Sequence, residues 1–135
     1  MVDEHGIPLS IVVTGANRHD VSQLENVLDN RAIPCPDNTV QNLCADKGYV
    51  GEPADKVIRE HNLIPHVVPR GVEAKAIKDI AGYKARRWIV EVVHSWYNRF
   101  RKLLVRYEKY QRTYEALLHL ASAIICWRKV DVIYG

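Results

Sequence analysis

The fold is decided by residues 40–68, which read VQNLCADKGYVGEPADKVIREHNLIPHVV. Apolar, β-prone runs at 40–45 and 63–68 predict two short strands. Between them, residues 53–62 begin with a proline, which suits the first turn of a helix, and repeat apolar residues at helical spacing. Because strands that alternate with a helix usually pair in parallel, this stretch predicts an α/β layer.

The residues upstream of this unit extend the same alternation. β-branched residues between two glycines predict a strand over 7–14. Asp20 stands where a helix N-cap is expected, Gln23 follows it as in a capping box, and apolar residues at helical spacing predict a helix over 21–30. The order strand, helix, strand, helix, strand therefore continues from the start of the sequence.

Downstream, the pattern changes to long helices after an irregular connector at 72–83. At 100° per residue, residues 86–106 form one long helix with an apolar face and a polar face. A last helix at 114–128 is apolar nearly all round, which predicts burial on several sides. The polar face of the long helix places one carboxylate among cationic and polar side chains, namely Lys84, Arg87, Glu91, His94, Asn98 and Lys102.

Length and composition restrict the class of protein. A chain of 135 residues, with 47% apolar and 26% charged residues, is typical of one globular domain, here 1–135, and excludes a disordered or collagen-like chain. No run approaches the roughly 18 apolar residues of a membrane span, and the start MVDEHGIPLS is no secretory signal. We therefore expect a cytoplasmic location without a membrane partner, and reduced thiols at the three cysteines.

Charge is unevenly distributed along the chain. The whole chain carries +3, whereas residues 84–112 hold nine Lys and Arg against two Glu. An excess of this kind in one segment indicates an anionic partner. The nine cations are Lys84, Arg86, Arg87, Arg99, Arg101, Lys102, Arg106, Lys109 and Arg112.

Two acids are candidates for chemistry. Asp46 directly follows a predicted strand, where α/β sheets usually meet ligands, but an aspartate before Lys47-Gly48 is also a common turn former. Glu91 lies on the cationic helix face, but it is also placed to form ordinary helical pairs with Arg87 and His94. If the two acids act together, they suit Mg²⁺, which takes carboxylates, waters and phosphate oxygens.

Four stretches resemble the catalytic domain of bacterial insertion-sequence transposases of the DDE superfamily. They are GIPLSIVVTGANRHD (6–20), ADKGYVGE (45–52), RRWIVEVVHSWYNRFRKLLVRYEKY (86–110) and TYEALLHLASAIICWRKV (113–130). They follow the family's order and cover nearly the whole chain. The resemblance implies an RNase H-like (ribonuclease H/integrase-type) fold.

The resemblance also implies roles for single residues. Asp46 would be the second catalytic aspartate and Glu91 the catalytic glutamate, both holding Mg²⁺ or Mn²⁺. The family's helix signature is similar to Tyr-x2-Arg-x3-Glu-x6-Lys, which Arg87 and Glu91 match. The tyrosine stands one residue early, with Lys84 in its place, and Asn98 takes the basic position, with Arg99 beside it. The residues expected to contact DNA are Lys84, Arg87, Asn98, Arg99 and Lys102.

The resemblance implies that one part of the family's site is missing from this chain. The first catalytic aspartate lies on an earlier strand in the family, and Asp3 falls in a hairpin after that strand. We therefore expect a C-terminal fragment without the first strand of the central sheet and without an N-terminal DNA-binding domain. An incomplete or rearranged sheet and marginal stability would follow, because unpaired buried backbone groups cost about 1–3 kcal/mol each.

Three functions remain open from the sequence. The first is a DDE transposase fragment whose parent protein cleaves and transfers DNA strands, the fragment alone being inactive. Its partners would be DNA (element ends and target), and a second copy of the chain or full-length transposase. The second is a non-catalytic remnant that binds DNA or transposase and modulates transposition. The third is a nuclease that uses Asp46 and Glu91, with a third acid such as Asp37 or one from another chain.

Overall fold

The computed structural model of the chain describes residues 1–15, 17–36, 39–67 and 88–134. It divides into two compact units, here called the middle unit (Thr14–Trp88) and the C-terminal unit (Met1–Val13 with Ile89–Gly135). A single domain over 1–135 stays a prediction. The predicted connector at 72–83 lies outside the described residues.

The middle unit contains the predicted strand–helix–strand arrangement. Strand β1 (Gln41–Ala45) is followed by a 3-10 turn (Lys47–Tyr49), helix α2 (Glu52–Glu60) and strand β2 (Leu63–Val67). The two strands pair in parallel, in a register that places Gln41 opposite Leu63 and Ala45 opposite Val67. The predictions of both strands, of the helix and of parallel pairing are confirmed. The described residues thus form a mixed α/β structure with a two-stranded sheet, and the RNase H-like arrangement stays a prediction.

The core of the middle unit forms where two helices pack beside the sheet. Helix α1 (Leu24–Asp29) follows a 3-10 helix (Asp20–Gln23). Together, the two elements match the predicted helix at 21–30. The expected Asp20 cap is wrong, because His19 precedes the first turn and makes no side-chain capping bond. The apolar side chains of both helices and of β2 point inward. They recur at helical spacing in the helices and at every second residue in the strand, so each set lies on one side of its element. The buried ones are Leu24, Leu28, Ala54, Ile58 and Leu63.

The C-terminal unit begins with a tight hairpin. Val2 and Pro8 form an antiparallel bridge, and the Asp3 carboxylate accepts hydrogen bonds from the backbone N–H groups of His5 and Ile7, at 2.9 and 2.7 Å. Gly6 has a φ of +80°, and a side chain there would lie 3.0 Å from atoms of both Val93 and Trp96. Asp3 therefore lies in a hairpin, as the resemblance implies, and its carboxylate stabilises the turn.

The predicted strand at 7–14 is wrong beyond this bridge. Residues 9–15 have no strand partner among the described residues, and the nitrogens of Leu9 and Ser10 donate instead to the carbonyl oxygen of Met1. The Ser10 hydroxyl is buried, with no hydrogen-bond partner in the described part of the chain. A strand needs a neighbouring strand for its backbone groups, so β-prone composition alone does not produce one.

The predicted long helix at 86–106 breaks into two. Helix α3 (Trp88–Asn98) ends before Phe100, which is extended at φ −87° and ψ 100°, and α4 (Arg101–Leu104) follows. Asn and Phe favour helices less than Leu, Lys or Arg do, so the break falls at a locally weak point. Apolar spacing does not reveal it, because Phe100 and Leu103 keep a helical interval across the break.

The last helix, α5 (Gln111–Tyr134), is longer than predicted and less buried. Ala121 and Ile125 are buried, whereas Leu120 and Trp127 are 58% and 76% exposed, so burial on several sides is wrong. The hydroxyl groups of Tyr97 on α3 and Ser122 on α5 lie 2.6 Å apart and join the two helices on the buried side of α5. None of the described helices is long and apolar enough to cross a membrane.

Candidate functional site

Asp46 stands at the carboxyl end of β1, in the first position before the 3-10 turn. Its extended backbone (φ −70°, ψ 160°) lets the carboxylate accept a hydrogen bond from the N–H of Lys47, at 2.7 Å. Its carbonyl oxygen accepts the N–H of Tyr49 at 2.9 Å. The residue is exposed, so the turn-forming interaction orients a carboxylate that solvent can reach. Both interpretations of Asp46, as a turn former and as a ligand, are compatible with this geometry.

Tyr49 is a member of this site that the sequence analysis missed. Burial raises the pKa of its hydroxyl above the ordinary 10.0, and the negative charges of Asp20 and Asp46 raise it further. The 3-10 helix at Asp20–Gln23 contacts the turn at Lys47–Tyr49, which places both acids near one phenol. The sequence did contain a signal for Tyr49. Tyr49 lies three residues after Asp46, and a 3-10 turn places residues at this interval on the same side.

The raised pKa leads to a test by pH. A tyrosine with a raised folded-state pKa contributes stability that is present below pH 10 and is lost as pH rises through that pKa. We expect Asp20→Asn to lower the pKa of Tyr49, measured as the tyrosinate absorbance difference between the protein and its Tyr49→Phe variant. Asp29→Asn is the matched control, since the charge of Asp29 is not among those acting on Tyr49. An unchanged Tyr49 titration in Asp20→Asn would contradict the arrangement.

Glu91 lies on the exposed side of α3. Val93 is buried, while Glu91, His94 and Asn98 are all exposed, so the predicted division of this helix into two faces is confirmed over α3. Within the described residues, the Glu91 carboxylate has no hydrogen bond or ion pair. The structure therefore presents this acid to solvent, and the predicted pair with His94 is absent.

The predicted DNA-contacting residues fall into three groups. Asn98 ends α3, and Arg99 follows it at the break; both are exposed. Lys102 is exposed on α4, but the break removes it from the continuous face on which the sequence placed it. Lys84 and Arg87 lie outside the described residues.

The metal site predicted from Asp46 and Glu91 needs both units. Asp46 belongs to the middle unit and Glu91 to the C-terminal unit, so their pairing stays a prediction. Among the residues that the structure describes, no group of three or more His, Cys, Asp or Glu side chains could hold a metal ion. The donor chemistry nevertheless fits Mg²⁺ or Mn²⁺, because both acids offer exposed carboxylate oxygens, which hard cations prefer.

Comparison with known proteins now identifies the class. A family model described as a transposase DDE domain matches residues 43–128, which include Asp46, Glu91 and most of the described helices. This match covers more than half of the chain, so the chain belongs to the DDE transposase family.

The chain is also similar to one individual protein over most of its length. The chain is 33% identical over 134 residues to a protein of Burkholderia cepacia named "Putative transposase for insertion sequence element IS402". The alignment covers 94% of this chain and 60% of the relative, so the chain spans less than two thirds of that protein's length. No solved structure shows a significant similarity to the chain.

Proposed function

We propose that this chain supplies two of the carboxylates of a DDE transposase active site, Asp46 and Glu91, for cleavage and transfer of DNA strands. The main support is the position of Asp46, which is an exposed carboxylate directly after a parallel strand and is oriented by the Lys47 N–H. The carboxyl ends of such strands are where α/β proteins usually meet their ligands. The family match includes both acids.

Mg²⁺ or Mn²⁺ would be held by Asp46 and Glu91 in this proposal. Such an ion stabilises the charge that develops on phosphate oxygens during an in-line displacement. The chain's own residues would orient one carboxylate through the Lys47 N–H and present the other beside the exposed polar residues of α3. The cations Lys84, Arg87, Arg99 and Lys102, together with the Asn98 amide, would hold the DNA backbone, since Arg and Lys bind phosphate through charge-assisted hydrogen bonds.

The fold proposed for the complete catalytic domain is RNase H-like, with the parallel pair β1–β2 as part of its sheet. By itself, the chain is expected to give no strand transfer, because the resemblance assigns it two carboxylates and the family's chemistry uses three. The whole reaction therefore needs a further carboxylate besides Asp46 and Glu91.

Binding of Mn²⁺ tests whether Asp46 and Glu91 form one site. We expect the chain to bind Mn²⁺, and we expect Asp46→Asn and Glu91→Gln each to weaken this binding by a similar factor. The reason is that both side chains would ligate the same ion. Electron paramagnetic resonance of free Mn²⁺ measures the bound fraction.

The control variant is Glu60→Gln, which removes one exposed carboxylate from α2 outside the proposed site. It should leave Mn²⁺ binding unchanged. Loss of Mn²⁺ binding in only one of the two site variants would contradict the shared site, and so would equal loss in the control.

A second candidate function is a non-catalytic protein that binds DNA or a complete transposase and modulates transposition. The exposed cations of the C-terminal unit favour it, because Arg99, Arg101, Lys102 and Arg106 need no metal to attract DNA. Duplex binding that persists in Glu91→Gln and in EDTA, together with absent Mn²⁺ binding, would favour this function over catalysis.

A further inference from the structure

A groove in the C-terminal unit is lined by described residues to which no catalytic role is assigned. It forms where α3 ends and α5 passes beside it, and it is an open groove with a volume of about 260 Å³. Small-molecule pockets usually measure roughly 300–1,000 Å³, so this one suits part of a larger molecule. Its lining residues are Trp96, Arg99, Phe100, Ile125, Arg128 and Lys129.

The charge of the groove selects an anion. Three of the six described residues that line it are cations, and none of these six is acidic. The Lys129 ammonium is held 4.4 Å from the centre of the Trp96 ring, so the aromatic ring fixes one positive charge at the wall of the groove. Arg99 and Arg128 are exposed and leave their guanidinium groups available to a ligand.

The other wall of the groove is apolar. Ile125 is 5% exposed, and Phe100 reaches the groove because its extended backbone interrupts the helix. The Trp96 ring is restrained from the hairpin side, where Gly6 approaches it so closely that a side chain would overlap. An apolar wall beside three cations fits a ligand that joins a planar apolar group to phosphate.

We propose that this groove binds an unpaired nucleotide of a single DNA strand. Arg99, Arg128 and Lys129 would hold the flanking phosphates, and Phe100 and Ile125 would contact the base. A duplex offers the groove only its phosphates, because its bases are stacked and paired, whereas a single strand exposes base faces to apolar and aromatic side chains. The proposal deepens the proposed function, since it rests on DNA as the substrate of the protein.

The phosphate contacts are tested with the double variant Arg128→Gln/Lys129→Gln of the full chain. The probe is fluorescein-labelled oligothymidine, and the readout is anisotropy over a salt series in EDTA. Each phosphate contact to a single strand contributes about 0.7 to the slope of log affinity against log salt. We therefore expect the slope to fall by about 1.4 and the affinity at 0.1 M salt to fall roughly 10- to 30-fold.

The matched control is Lys56→Gln/Arg59→Gln, which removes two exposed cations from α2 in the middle unit. It should leave the slope nearly unchanged. An equal loss of oligothymidine affinity in the control and in the groove variant would overturn the proposal, because the overall positive charge of the protein would then explain the binding. An unchanged slope in the groove variant would overturn it as well. Circular dichroism verifies that each variant keeps its helices.

The base contact is tested with Phe100→Leu and an abasic oligonucleotide of the same length. We expect Phe100→Leu to weaken oligothymidine binding about fivefold, while the abasic strand binds wild type and variant alike. Wild-type protein that binds the abasic strand as tightly as oligothymidine would overturn the base contact. Displacement of oligothymidine by polyglutamate of equal charge would indicate an acidic peptide as the ligand instead.

Failure of this proposal and failure of the proposed function give different results. Oligothymidine binding should persist in Asp46→Asn, since Asp46 does not line the groove. If Mn²⁺ binding is absent but the groove variant loses oligothymidine, only the catalytic proposal fails. If Mn²⁺ binding depends on Asp46 and Glu91 but the groove variant binds oligothymidine like wild type, only the groove proposal fails.

Discussion

Asp46→Asn and Glu91→Gln are each expected to lower strand transfer at least about 1,000-fold in a transposase that contains this chain within a complete catalytic domain. A divalent ion contributes several kcal/mol of transition-state stabilisation, and each 1.36 kcal/mol changes a rate tenfold. An amide in place of either carboxylate removes a charged oxygen ligand while keeping the shape of the side chain. Transfer of a labelled element end into plasmid DNA measures the rate.

The double variant distinguishes a shared role from two separate roles. If Asp46 and Glu91 hold the same ion, Asp46→Asn/Glu91→Gln should be little slower than either single variant, because residues that act as a unit are not additive. Glu60→Gln, a change of an exposed acid on α2, should retain nearly full activity. A double variant whose loss of rate equals the product of the two single losses would contradict a shared ion. Normal activity in either single variant would contradict the assignment of that residue.

Ile58→Ala is expected to destabilise the middle unit by about 2–5 kcal/mol. Ile58 is 0% exposed on α2, in the core that also contains Leu28 and Leu63. Removing three buried carbons loses their transfer free energy and leaves a cavity that neighbouring side chains fill only in part. Since whole domains are stable by only 5–15 kcal/mol, a loss of this size is a large share of the total.

The matched control is Ile64→Ala, which makes the same chemical change on β2 at a side chain that is 45% exposed. It should cost much less than Ile58→Ala, because fewer contacts are lost and no closed cavity forms. Amide hydrogen exchange of β1 and α2 measures both effects within the middle unit. Equal loss of protection in the two variants would contradict the assignment of Ile58 to the core.

Local patterns predicted the elements of the middle unit well. The strands β1 and β2, the helix α2 and their parallel pairing follow from apolar runs separated by a proline-initiated helix. These features depend on backbone hydrogen bonds and side-chain periodicity within about thirty residues. The face of α3 that carries Glu91 was predictable for the same reason.

Features that depend on distant partners were not predictable in this way. The residues at 7–14 have strand-like composition but no strand partner in the described part of the chain. Apolar spacing continues through Phe100, yet the helix breaks there and directs the ring to the groove beside Ile125. Trp127 lies on an apolar helix but is 76% exposed, because none of the described elements of the C-terminal unit covers its side of α5.

The candidate site likewise has residues that the sequence predicted and features that only the structure revealed. Family motifs in the sequence singled out Asp46 and Glu91 as candidates, because the resemblance places catalytic residue types at these positions within long matching stretches. Only the tertiary structure placed Asp20 and Asp46 near Tyr49, and only it assembled the cationic groove from the end of α3 and the second half of α5. Sequence thus determined the strands and helix at 40–68 and which elements carry Asp46 and Glu91, since both are local properties. Burial and the groove were decided by packing between segments far apart in the chain.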